Sequence, residues 1–225
     1  MSFFNTIKNN ILETIFPTKC LSCGMSGTNL CLSCLENFPS AERENAKWIF
    51  SLYDYRHPPI KKALWLLKYK GKKRLAGALA ENLYDKIMEE LSDLGVMENF
   101  RVPILIPIPL SKKRYRERGY NQAELICQEL IKINRERGDA SLKLENNILI
   151  KPKETEHQAR IENRQKRLKN ILGSFSVKNE KVELVKGRNI ILIDDIATTG
   201  ATLNEARKIL KQVGAGKIIA FTIAH

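Results

Sequence analysis

One stretch constrains the fold of this chain more than any other: NIILIDDIATTGATLNEA, residues 189–206. An apolar, largely β-branched run, Ile190 to Ile193, ends in two adjacent carboxylates, Asp194 and Asp195. A turn of Thr, Gly and Ala follows, and then a segment of helical period from about Thr202 to Val213. A continuous apolar run bounded this way predicts a strand buried on both faces, as in a parallel sheet. The run KIIAFTIA (217–224) predicts a second such strand, and Gly214 and Gly216 before it fit a helix C-terminal turn. VPILIPIPL (102–110) predicts a third. Strand, helix, strand alternation implies an α/β fold, an open, mainly parallel sheet flanked by helices.

The remaining elements fit between these strands. KWIFSLYDY (47–55) predicts a strand or hairpin arm, and His57-Pro58-Pro59 opens helices at about 59–69 and 73–92, broken at Gly71. A helix from about Asn121 to Arg137 stops at Gly138 and carries Cys127 as a buried residue. LKLENNILI (142–150) predicts a strand ending near Ile150, and SFSV (174–177) another. Phe3, Ile7, Ile11 and Ile15 form the stripe of a short amphipathic helix, expected to pack on the protein itself, with a membrane surface as the competing reading. No apolar run reaches the roughly 20 residues of a membrane span, and the N-terminus lacks the pattern of a secretory signal.

Four of the five cysteines are spaced Cys20-x-x-Cys23 and Cys31-x-x-Cys34. Two such knuckles converge their thiolates on one tetrahedral ion, and zinc is the expected metal, in a closed structural site. Iron in the same cage and disulfides are the competing readings, the latter disfavoured in a reducing cytoplasm. The chain is therefore expected to be cytoplasmic, with an N-terminal helix and zinc module (1–45) and an α/β domain (46–225).

Charge narrows the ligand. The chain has a net charge of +13, and the excess lies in three segments. KKALWLLKYKGKKR (61–74) has seven basic residues and no acidic ones; KKRYRER (112–118) and 151–169 each have a net of +4. Together they exceed the charge of the whole chain, which points to a polyanionic partner. Backbone N–H groups at the helix start, the hydroxyls of Thr198, Thr199 and Thr202, and the tight turn at Gly200 make a phosphate cradle. Carboxylates beside a phosphate cradle need another partner: sugar hydroxyls, or a magnesium ion. A phosphorylated sugar satisfies both ends. A P-loop is absent, a receiver-type metal pocket has no use for the threonine turn, and a plain helix cap of acids and threonines is the remaining competitor.

IILIDDIATTGAT resembles the phosphoribosyl diphosphate (PRPP) binding motif of type I phosphoribosyltransferases. The double Cys-x-x-Cys, LKYKGKKR, IPIPLSKKRYRERGYNQAE and the Thr155, Gln158, Arg167, Asn170 spacing extend the resemblance to the ComF family of competence proteins. The resemblance implies that Asp194 and Asp195 contact the ribose hydroxyls as catalytic acids, and that Ala197, Thr198, Thr199, Gly200, Ala201 and Thr202 hold the 5-phosphate. Pro109, Leu110 and Ser111 would form the diphosphate loop, with Mg²⁺ accompanying PRPP, and 151–169 would be the loop that closes over the site. Lys151 stands where the family often has Arg, which keeps the charge and loses the bidentate fork. Lys112, Lys113, Arg114, Arg116, Arg118, Arg164 and Arg167 are diphosphate or nucleic-acid contacts on this reading. The implied role is handling of single-stranded DNA during natural transformation, beside the DNA-uptake machinery. An active phosphoribosyltransferase with an unnamed acceptor is the alternative. Tyr115, Tyr120, Trp65 and Tyr69 are candidate stacking platforms, with Trp65 expected to be buried on its apolar helix.

Overall fold

The computed structural model describes residues 18–42, 46–98, 100–139, 141–152 and 173–225. The N-terminal stripe from Phe3 to Ile15 lies outside the described residues. So does most of the 151–169 segment, with Thr155, Gln158, Arg164 and Arg167, and with it Asn170.

Five parallel strands form the central sheet in the order β1-β7-β6-β2-β3: β1 (Ile49–Tyr53), β2 (Ile104–Pro107), β3 (Lys143–Leu144), β6 (Ile190–Ile196) and β7 (Ile218–Ala224). β7 and β6 sit at the centre, and their apolar runs divide by parity. Ile191, Ile193, Ile219, Phe221 and Ile223 join one buried cluster; Ile190, Leu192, Ile218 and Ala220 join the other. Each central strand thus feeds two cores, which is why its sequence is continuously apolar.

On the first face lie α2 (Pro58–Tyr69), α3 (Leu75–Glu98) and α5 (Gln122–Glu136). α2 buries Ile60, Ala63, Leu64 and Leu67, one stripe at helical spacing. α5 is capped by Asn121, whose side chain accepts the Ala123 N–H at 3.2 Å, and it buries Cys127. α7 (Ala201–Gln212) covers the opposite face with Leu203, Ala206 and Leu210.

One local difference from the sequence expectations has a physical cause. LKLENNILI is two strands, not one: β3 pairs with β2, while β4 (Leu149–Ile150) pairs antiparallel with β5 (Ser176–Val177). Asn147, at φ 62, turns the chain between them. KKRYRER forms a short helix, α4 (Lys112–Arg118), capped by the Ser111 hydroxyl and closed by Gly119 at φ 75. A 3₁₀ turn and α6 (Val182–Val185) lead into β6.

The cysteine segment is built on the same core. α1 (Leu32–Glu36) starts at Cys31, and Leu30, Leu35 and Phe38 belong to the buried cluster of α2 and α3. Among the described residues no helix is long and apolar enough to cross a membrane.

Candidate functional site

In a parallel sheet the loops leaving the carboxyl ends of neighbouring strands meet above one edge. Here the loops after β2 and β6 meet α2 and Lys151 around a cavity of about 320 Å³, a volume suited to a small ligand. Asp194, Asp195, Thr198 and Thr202 line it from the β6 side, and Pro109, Leu110, Ser111, Arg114 and Arg118 from the β2 side. Most of the residues that the sequence assigned to sugar and phosphate therefore converge.

The acids lie within β6 rather than beyond it, with Asp194 in register with Thr222 of β7. Strand pairing holds their backbone, and the Asp194 carboxylate accepts the Asp195 N–H at 2.9 Å. Withdrawal from water and the charge of Asp195 push the Asp194 carboxyl up from its ordinary 3.8 to about 7. Lys68 from α2 reaches the Asp195 carboxylate at 2.9 Å, with both side chains mostly out of solvent.

Downstream, the Ala197 N–H donates to the Ala224 carbonyl at 2.9 Å and fixes the start of the cradle. Gly200, at φ 66, is the N-cap of α7, and it supplies no side-chain acceptor to the first turn. The left-handed conformation explains glycine there, since a Cβ would strain it. Asn204 braces the turn by donating its backbone and side-chain N–H groups to the Gly200 carbonyl at 2.8 and 3.1 Å. Thr199 turns one hydroxyl inward, toward the Ala201 N–H at 3.4 Å.

Across the cavity Asn121 holds the β2 loop in place, its Nδ2 donating to the Ile108 carbonyl at 2.9 Å. α4 divides its charges by face. Arg114 and Arg118, one turn apart, line the cavity, while Lys112, Lys113, Tyr115 and Arg116 are exposed. Arg118 donates to Gln122 Oε1 at 2.9 Å and stacks 5.1 Å from the Tyr69 ring. Lys151 is 8% exposed and lies over the Phe175 ring. Burial, reinforced by the charge of Arg114, drives its ammonium down from 10.5 to about 8 against the opposing pull of Asp194.

Two aromatic expectations are corrected. Tyr120 is buried, its hydroxyl donates to the Leu67 carbonyl, and Lys73 lies over its ring, 4.7 Å from the centroid, where a base would stack. Trp65 is 47% exposed rather than buried, because it stands off the Ile60–Leu67 stripe. With Tyr69, whose ring centroid lies 6.3 Å away, it forms an open ledge on the wall of the cavity. Lys68, Tyr55 and Gln122 also line the cavity and were not foreseen as site residues. For Lys68 a signal existed: its place one turn after Leu64 puts it on the flank of the Ile60–Leu67 stripe.

The four cysteine sulfurs lie within 4.8 Å of one another. Cys31 Sγ is 3.8 Å from Cys20 Sγ and 3.7 Å from Cys23 Sγ. Thiolates about 2.3 Å from a tetrahedral metal are about 3.8 Å apart, so the donor set fits a bound ion. Gly24, at φ 77, donates its N–H to the Cys20 carbonyl at 3.0 Å and closes the first knuckle.

A strand ending in paired acids, a phosphate-type cradle and facing cations at one sheet edge are features of the phosphoribosyltransferase class. In agreement, the phosphoribosyl transferase domain profile matches residues 129–225. DNA utilization protein YhgH of Escherichia coli O6:H1 is 28% identical over 205 residues, spanning 89% of this chain and 81% of that protein. Competence protein ComFC of Bacillus subtilis is 33% identical over 176 residues, 77% of this chain and 62% of that one. Competence protein F of Haemophilus influenzae is 28% identical over 210 residues, 90% and 84% of the two chains. Over most of its length the chain is similar to competence and DNA-utilization proteins of the ComF type. Among solved structures, hypoxanthine-guanine phosphoribosyl transferase of L. donovani overlaps 67% of each chain at 12% identity and a TM-score of 0.40, too loose to transfer residue roles.

The acid pair opposes folding at neutral pH. Between 3.8 and about 7 the folded chain keeps a proton on Asp194 that the unfolded chain has released, so stability falls as pH rises through that window. Asp194→Asn removes the penalty. Thermal unfolding at pH 8 is expected to show the variant more stable by about 1 kcal/mol or more, roughly 2–4 °C. The gain should shrink as pH falls toward 4. Equal or lower stability at pH 8 contradicts the electrostatic picture.

Proposed function

We propose that the chain holds PRPP, or a closely related sugar phosphate, in the β2–β6 cavity and binds single-stranded DNA on its basic surface, acting in DNA uptake and handling during natural transformation. One observation carries the ligand: the acids of β6, Thr198 and Thr202 of the cradle, and the cations Arg114 and Lys151 line a single cavity. In this reading Asp194 and Asp195 accept hydrogen bonds from the ribose diol. Residues 197–202 take the 5-phosphate, and Pro109, Leu110 and Ser111, with Arg114 and Lys151, face the diphosphate and its Mg²⁺. The competence and DNA-utilization names of the relatives support the cellular role.

The DNA reading rests on surface charge. Lys70, Lys72, Lys73 and Arg74 are exposed beside the exposed face of α4, linked to it through Arg118 on Tyr69 and Lys73 over the Tyr120 ring. Two basic segments separate in sequence thus form one surface, and Tyr115 and the Trp65–Tyr69 ledge offer rings on which bases can stack. The same ledge supports a second reading, an active phosphoribosyltransferase. A planar acceptor resting on Trp65 would lie in the cavity that holds the sugar, with Arg114 and Lys151 stabilising the departing diphosphate. The metal of residues 1–45 is proposed to be a structural zinc that fixes this module against the 46–225 domain.

Three outcomes are expected. PRPP with Mg²⁺ at a hundredfold excess over Kd should add about 2.7 kcal/mol, a rise of roughly 5–11 °C in Tm. The Asp194→Asn, Asp195→Asn double variant should lose that rise, and no shift in the wild type contradicts the ligand. For DNA, Lys112→Ala, Lys113→Ala and Arg116→Ala together should reduce the salt slope of oligo-dT binding by about 2, near 0.7 for each lost phosphate contact. An unchanged slope removes α4 from the DNA surface. Elemental analysis of protein purified under reducing conditions should find one zinc per chain, and Cys23→Ser should lose it and lower Tm. A folded chain without metal contradicts the zinc reading.

A further inference from the structure

The acid pair of β6 already has a cation. Lys68 Nζ lies 2.9 Å from Asp195 Oδ2, and the two side chains are only 18% and 10% exposed. The contact is made across 127 residues of sequence, by the face of α2 that also sends Trp65 and Tyr69 into the cavity. Two adjacent carboxylates at one strand end would repel an anionic ligand entering the same cavity, and more strongly in a medium of reduced polarity than in water. A divalent ion is one remedy. A lysine delivered by a rigid helix is another, and it leaves carboxylate lone pairs open toward a sugar diol.

We propose that Lys68 is a tethered counter-cation for the acid pair, a positioning residue that lets the ribose end of the site accept an anionic sugar without a divalent ion there. This rests on the sugar-phosphate reading above and adds to it a division of labour. Mg²⁺ travels with the ligand's diphosphate, while the diol end is neutralised by the chain itself. The same ion pair could be only a clamp holding α2 to β6. That lesser role gives no reason for the metal dependence of binding to change when Lys68 is removed.

Ribose 5-phosphate is the discriminating probe, since it carries the diol and the phosphate but no diphosphate to recruit magnesium. Titration calorimetry on the full chain should show wild-type affinity for ribose 5-phosphate equal in EDTA and in millimolar Mg²⁺. Lys68→Met should bind tenfold or more weakly in EDTA and recover most of the loss when Mg²⁺ is added, because a free ion can then take the vacated place. Lys68→Arg, which keeps the charge, should bind in EDTA within about threefold of wild type and guards against a simple folding defect. If wild type binds only with Mg²⁺, or Lys68→Met binds as tightly as wild type in EDTA, the role of Lys68 falls and the ligand class stands. If wild type binds neither ribose 5-phosphate nor PRPP in either buffer, the ligand class itself falls.

Discussion

Two carboxylates side by side at the end of a buried strand are the constraint around which the rest of this structure is arranged. Asp194 and Asp195 cannot move apart, because they are neighbours in the chain and the pairing of β6 with β7 runs past them to Ile196. Their mutual repulsion and their distance from water raise the energy of the charged state, as the upward displacement of Asp194 records. Cations compensate for this from two directions: Lys68 from α2 and Lys151 from the end of β4. Neither lysine is comfortable. Lys151 is buried enough to be pushed toward neutrality, and a buried ion pair such as Lys68–Asp195 gains little net stability once desolvation is counted. Charges kept at such expense are better explained by a ligand than by the fold.

How much of this could be read in the sequence depended on how local each signal was. β6, its acids, the cradle and α7 were legible because the whole device lies within residues 189–213 and each part has a distinct chemistry. The four-cysteine cluster was legible for the same reason. Contacts between distant segments were not. Lys68 appeared only as one of seven basic residues in its segment, although its place one turn after Leu64 puts it on the flank of the Ile60–Leu67 stripe, half-buried rather than in open solvent. Helical phase also accounts for Trp65, which stands farther round from the stripe: an apolar composition suggested burial while the helical position requires exposure. Asn121 reads as a helix cap, and nothing local announces that its Nδ2 also holds the Ile108 carbonyl. The split of LKLENNILI turns on a single left-handed residue, Asn147, in a run whose composition favours continuity.

The fold also sorts the charge that composition only counted. On α4 the residues one turn apart, Arg114 and Arg118, go to the cavity, and their neighbours go to solvent. One short helix therefore presents charge both to the cavity and to the outer surface. Arg118, packed on Tyr69 and bonded to Gln122, sits at the junction of the two surfaces. Such shared residues give a physical route by which a strand on the outside and a sugar phosphate on the inside would influence each other, and linkage requires any such influence to be reciprocal.

The measurement that bears most directly on the central claim is a crystal structure of the chain with PRPP bound. The expected result has the 5-phosphate against the N-terminus of α7 and the 198–202 loop. The ribose diol should lie about 3 Å from the carboxylates of Asp194 and Asp195, with the diphosphate directed toward Arg114 and Lys151. A phosphate seated away from that helix start, or a ribose turned from the acid pair, would contradict it.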